Sequence, residues 1–102
     1  MSATVLSREK ILNELRLLKP ELNRRYGVNK IGLFGSFARN TSKPNSDIDV
    51  VIELSEPDLF VLVHIKEELE SFFKRHVDVI PFSDTMNSFL KDRIKNEAVY
   101  VW

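Results

Sequence analysis

Gly35-Ser36-Phe37-Ala38-Arg39-Asn40-Thr41-Ser42-Lys43-Pro44-Asn45-Ser46-Asp47-Ile48-Asp49-Val50-Val51-Ile52 is the stretch that decides how this chain is read. A Gly-Ser pair is followed, after ten residues, by two aspartates flanking one isoleucine. Residues two apart on a strand point to the same face, so Asp47 and Asp49 share one side. Ile48, Val50, Ile52 and Leu54 alternate onto the other side and are expected to pack the core. The two aspartate Cα atoms would lie roughly 7 Å apart at about 3.3 Å per residue, close enough for their carboxylates to share ions. Paired metal ions in phosphoryl-transfer sites sit about 3.5–4 Å apart. A Gly-Ser turn beside such a pair suits Mg²⁺-dependent chemistry on a nucleoside triphosphate. Glu53 shares the face but lies too far along it and reads as a solvated strand residue.

A competing reading has the aspartates capping a helix or lining a turn, and Asn45-Ser46-Asp47 is turn-like. Against it, Asp is disfavoured in strands, and an alternating apolar run follows at once. Two acids at a strand's start cost stability unless something binds them. Gly35-Ser36 alone would say little; the spacing of both halves carries the signal.

The stretch resembles the nucleotidyltransferase superfamily signature, G-S-x(10)-D-x-D, and most closely that of the minimal nucleotidyltransferases, small proteins encoded beside HEPN-domain toxins. The resemblance runs from the first helix to Trp102. Asn40 stands where the family usually has Gly, a change that an Asn with positive φ accommodates. The resemblance implies the nucleotidyltransferase fold: an α/β (α+β) chain with a small mixed β-sheet flanked by helices. It also implies a third carboxylate on a strand beside the D-x-D strand. Asp78, in Val77-Asp78-Val79, matches that pattern, although a charge guarding an edge strand would look the same.

The activity implied is transfer of AMP from ATP, with two Mg²⁺ ions held by Asp47, Asp49 and Asp78. Gly35 lets backbone approach the phosphates, and the Ser36 hydroxyl and nearby amides receive the pyrophosphate charge. Arg39 reads equally as a phosphate clamp or as one half of a surface ion pair. The partner implied is a cognate HEPN ribonuclease toxin in a hetero-oligomer, with a tyrosine hydroxyl as acceptor. Two alternatives stay open: an antitoxin that blocks its toxin by contact alone, or a subunit that adenylylates a small molecule.

Composition fits a soluble globule, with 43% hydrophobic and 29% charged residues. A chain of 102 residues is expected to form one domain over residues 1–102. Fifteen basic and fifteen acidic side chains cancel, so no strong field draws in long nucleic acid. There are no cysteines, which excludes disulfides, thiolate metal sites and cysteine nucleophiles. The N-terminus lacks a basic-plus-apolar signal, and no apolar run approaches the ~18 residues of a membrane span; a cytoplasmic protein is expected.

Along the chain, Ser7 is expected to cap a helix carrying Ile11, Leu12, Leu15, Leu18 and Leu22, which Pro20 should split or kink and Gly27 should close. Residues 30–34 read as the first strand, 36–39 as a short helix whose amides can meet phosphate, 41–46 as a polar loop and 47–54 as the second strand. The helix from 56 to about 74 opens with Leu59, Phe60, Val61, Leu62, Val63 and Ile65, interrupted by His64. Such a segment is either deeply buried or leaves one flank open for a partner; His64 reads as a packed or surface residue. Residues 76–80 form the third strand, ended by Pro81. Residues 86–96 form a last helix with Phe89, Leu90 and Ile94 inward, and 98–101 a last strand. Tyr100 and Trp102 read as C-terminal anchors, or as a base-stacking surface if they approach the site. Asp84 and Asp92 read as surface acids.

Overall fold

The computed structural model describes residues 6–101; Trp102 and the role expected of it lie outside the described residues. The first helix, α1 (Arg8–Tyr26), begins where Ser7 accepts the Lys10 amide at 3.1 Å. It ends where Gly27, at φ 73, turns the chain left-handed and returns its N–H to Asn23. Ile11, Leu12, Leu15 and Leu22 are buried. The split expected at Pro20 does not occur, because the helix runs unbroken through it. Pro20 is exposed, and buried leucines in the turns on both sides hold the two halves to the sheet despite one missing hydrogen bond.

Strand β1 (Val28–Phe34) leads directly into the short helix α2 (Gly35–Ala38), and β2 (Ile48–Leu54) follows the polar loop. Helix α3 (Leu59–Phe73), strand β3 (Val77–Pro81), helix α4 (Ser88–Glu97) and strand β4 (Val99–Val101) complete the order. The sheet reads β3-β2-β1-β4 across. β1 runs antiparallel to both β2 and β4, whereas β2 and β3 are parallel. Pro81 is accommodated as the last paired residue of an edge strand.

Both faces of the sheet are covered. Ile31, Leu33, Ile48, Val50 and Ile52 join α1, α2 and α3 in the main core. On the opposite face Phe34 and Val51 meet Ile94 of α4, with Leu90, Met86, Phe82 and Tyr100 around them. The alternating pattern of β2 therefore marks only one of its two buried faces. Phe89, expected inward, is 73% exposed. Leu90 and Ile94 share a helix face at a spacing of four, and Phe89 is turned about 100° from Leu90.

Asp58 caps α3 by accepting the Phe60 and Val61 amides at 2.9 and 3.3 Å. Within α3 only Ile65, Leu69 and Phe73 are buried. Leu59 and Phe60 are 78% and 80% exposed, so the apolar first half of this helix has an open flank and is not deeply buried. His64 is also exposed, 4.0 Å from Glu67. Among the described residues no helix is long and apolar enough to cross a membrane.

The cap of α3 gives a direct test. Asp58→Ala should cost about 1 kcal/mol by urea denaturation, and Asp58→Ser should restore most of it. An unchanged denaturation midpoint for Asp58→Ala would mean that the cap contributes nothing.

Candidate active site

Strand directions bring the motif together. Because β1 and β2 are antiparallel and β2 and β3 parallel, the end of β1 and the starts of β2 and β3 lie at one end of the sheet. Phe34 is opposite Asp49, and Asp49 is opposite Asp78. Gly35 and Ser36 follow Phe34 immediately. Asp47 lies one residue outside β2, not on it as expected, but its charge still acts on Asp49. The loop before β2 is fixed by Arg75, whose guanidinium donates to the Ser46 carbonyl at 3.0 Å and lies 5.8 Å from the Phe37 ring centroid.

Gly35 is buried at φ 72. A Cβ at this position would overlap Asp49 Oδ2 and come within 3.0 Å of Asp49 Cγ. Glycine thus serves both a left-handed backbone and a carboxylate pressed against it. Beyond it, Asn40 takes φ 60, the condition under which an Asn accommodates a position where the family usually has Gly. The Thr41 amide donates to the Ser36 carbonyl at 2.9 Å, closing the turn.

Asp49 is perturbed by its enclosure and by its acidic neighbours. Burial pushes the Asp49 carboxyl up to about 6, reinforced by the charge of Asp78, a hydrogen bond with it, and the charge of Asp47; Arg39 opposes the shift. Arg39 lies 3.2 Å from Glu97 of α4, so the ion-pair reading of this residue describes its contact, while its charge also reaches Asp49. Ligand atoms of Asp47, Asp78 and His76 lie within 4.8 Å of one another, and all three residues are exposed. The carboxylate oxygens of Asp47 and Asp78, this close together beside the His76 imidazole and with Asp49 within reach of their charges, fit a divalent cation such as Mg²⁺.

His76 was not marked by any motif. Its Nε2 lies 3.1 Å from Asp78 Oδ1 and its Nδ1 2.9 Å from Glu70 Oε2. Glu70 is held down at about 2 by hydrogen bonds, first from Lys66 and then from the Val77 amide. The Lys66/Glu70 spacing of four on a helix is visible in the sequence; that His76 would join it to Asp78 is not. Asp84 pairs with Lys91 at 3.3 Å and Asp92 is exposed, both away from the cluster's contacts. Tyr100 lies across Gly32, where a Cβ would come within 2.9 Å of its ring. It packs against the Phe34, Val51 and Ile94 cluster on the α4 side of the sheet, as an anchor would.

The raised pKa of Asp49 has a definite sign. Protonated Asp49 stabilises the fold below about pH 4, and that contribution is lost as pH rises through about 6. In EDTA, Asp49→Asn should therefore melt higher than wild type at pH 7.5, with the gap closing toward pH 4. Saturating Mg²⁺ should shrink the gap at pH 7.5. A gap independent of pH would show that Asp49 is not strained by its neighbours.

Comparison with known proteins places this geometry. Residues 15–101 match the nucleotidyltransferase domain family. A protein of Methanocaldococcus jannaschii, named as a candidate protein adenylyltransferase, is 41% identical over 91 residues, spanning 88% of this chain and 97% of its own length. Protein adenylyltransferase MntA of Thermococcus cleftensis is 34% identical over 98 residues, spanning 95% and 98% respectively. A chain from the crystal structure of a toxin–antitoxin with AMP-PNP superposes with a TM-score of 0.71 at 25% identity, over 88% of this chain and 73% of its own. The chain, with its Gly-Ser turn and adjoining acids, belongs to the nucleotidyltransferase domain family and is a homologue of protein adenylyltransferases.

Proposed function

We propose that this chain transfers AMP from ATP to a hydroxyl of a partner protein, a tyrosine of a cognate HEPN ribonuclease toxin, and thereby acts as its antitoxin. The observation that supports this most is the meeting of Gly35-Ser36, Asp49 and Asp78 at one sheet end, where Asp49 is lifted to about 6 by burial and by its neighbours' charges. The protein adenylyltransferase homologues and the structural likeness to a toxin–antitoxin with AMP-PNP support the same reading.

Asp47, Asp49 and Asp78 would hold Mg²⁺, which when bound offsets the charge of the triphosphate and polarises its α-phosphoryl group. The Gly35 backbone permits close approach of phosphate oxygens. The Ser36 hydroxyl and the first-turn amides of α2 donate to the departing pyrophosphate. Arg39 supplies a planar fork of donors at the same mouth. The acceptor oxygen bonds to the α-phosphorus as the bond to the bridging oxygen breaks and pyrophosphate leaves. The hydroxyl proton passes to solvent water on the exposed Asp47–Asp78 side of the cluster.

One observation favours the rival reading, a binding antitoxin. Leu59, Phe60 and Val63 form an exposed apolar flank. Beside it is a cavity of about 500 Å³, lined in part by Leu54, Leu62, Pro81, Phe82 and Met86. Such a patch on a small protein is a surface for another protein. In the enzyme reading it docks the toxin whose tyrosine is modified; in the rival reading it is the whole mechanism.

Co-expression with a cognate HEPN toxin separates the two. The enzyme should add the mass of one or more AMP units to a toxin tyrosine, by intact-protein mass spectrometry. Asp47→Asn and Asp49→Asn should each lower the transfer rate by roughly a thousandfold, the loss of several kcal/mol of transition-state stabilisation, and should fail to protect cells. Full protection by both variants with no added mass, and loss of protection on Phe60→Glu alone, would establish the binding antitoxin instead.

A further inference from the structure

His76 stands between the cap of α3 and the start of β3, and its ring spans two carboxylates. Nδ1 lies 2.9 Å from Glu70 Oε2 and Nε2 lies 3.1 Å from Asp78 Oδ1. Glu70 is itself fixed. The same Oε2 accepts from Lys66 Nζ at 2.7 Å and from the Val77 amide at 3.0 Å. Lys66 Nζ also donates to the Val77 carbonyl at 2.8 Å. Both backbone groups of Val77 are thus tied to the last two turns of α3, and the residue that follows Val77 is Asp78.

An exposed aspartate on an edge strand is held by few contacts of its own, and here, among the described residues, the one other contact is with the carboxyl of Asp49. Asp78 has acidic neighbours that repel it: Asp49 across the ladder and Asp47 in the same cluster. Repulsion would swing it outward, away from the positions that an ion or nucleotide needs. A ring braced at its far end and touching Asp78 Oδ1 opposes that swing. An ordinary surface ion pair is worth little because both side chains are mobile. Here, by contrast, Lys66, Val77 and His76 converge on one oxygen.

We infer that His76 is a positioning residue: braced by Glu70, it fixes the Asp78 carboxylate beside Asp49. This inference rests on the proposed role of Asp78 in the ion- and nucleotide-binding cluster. Glu70 and Lys66 extend the brace into α3. Removing an outer partner of a ligating group typically lowers metal affinity by 10–100-fold, and two changes acting through one residue are not additive.

The test uses Mn²⁺ as probe, with the non-transferable analogue α,β-methylene-ATP present, and reads free Mn²⁺ by electron paramagnetic resonance. His76→Ala should weaken Mn²⁺ binding by about 10-fold or more. His76→Gln, whose amide can still donate to Asp78, should keep most of the affinity and guards against a folding artefact. In an Asp78→Ala background, His76→Ala should cause no further loss. Undiminished Mn²⁺ binding in His76→Ala, or the same fold-loss with and without Asp78, would overturn the inference while leaving the role of Asp78 intact. A ¹⁴N imidazole modulation in pulsed spectra would overturn it in favour of direct ligation. If Asp78→Ala itself binds Mn²⁺ like wild type, the role of Asp78 is what fails, and the inference falls with it.

Discussion

The contact between Gly35 and Asp49 is the constraint on which the rest depends. A carboxylate can sit against the start of α2 only because residue 35 has no side chain and can take φ 72. That contact needs the end of β1 and the start of β2 side by side, which the antiparallel register of Phe34 with Asp49 supplies. It also needs β2 to be immobile. Val50 and Val51 are both fully buried, one on each face, so the strand carrying Asp49 is gripped from two sides. Helix α4 serves the site by covering the face from which Asp49 projects.

The scaffold stabilises an arrangement that opposes itself electrostatically. Partial burial of Asp49 disfavours its charged form, and the charges of Asp78 and Asp47 add to the cost. The cost is borne by a core of apolar side chains with no buried polar or charged residue among those described. Local conflict within an otherwise consistent fold is what a functional site looks like in physical terms. It explains why the acids are at strand starts, where one side faces solvent, and not mid-strand, where they could not be hydrated.

Much of this was legible in the sequence because it is local. The Gly35-Ser36 turn, the D-x-D pair, the caps at Ser7 and Gly27, and the positive φ of Asn40 each depend on a few neighbouring residues. Asp78 became a candidate only through the family resemblance, since nothing in Val77-Asp78-Val79 says which strand lies beside it. Its register with Asp49 is a long-range fact. The brace through His76, Glu70 and Lys66 was invisible for the same reason: it joins a helix to a strand across the turn at Lys74. Phe89 misled because helical spacing shows that a face exists, not how far a neighbour covers it, and the alternation of β2 gave no sign that the face of Val51 is covered as well. Only the packing of α4 decides both. The apolar start of α3 left two outcomes open, and the exposure of Leu59 and Phe60 selects the open flank.

Arg39 shows why two readings of one residue need not compete. Its guanidinium is 3.2 Å from Glu97 Oε1, while Arg93 Nε lies 3.2 Å from Oε2 of the same carboxylate. Glu97 is held below its ordinary range first by Arg93 and then by Arg39. If Arg39 left, Glu97 would remain paired. Exposed ion pairs contribute about 0–1 kcal/mol, whereas a phosphate offers a bidentate, charge-assisted partner. Exchanging Glu97 for a phosphate oxygen therefore costs little, and the exchange removes no support from α4. In the meantime the charge of Arg39 partly offsets the repulsion at Asp49. A cation kept near the acids by a weak and replaceable contact would be free to take the phosphate role proposed for it.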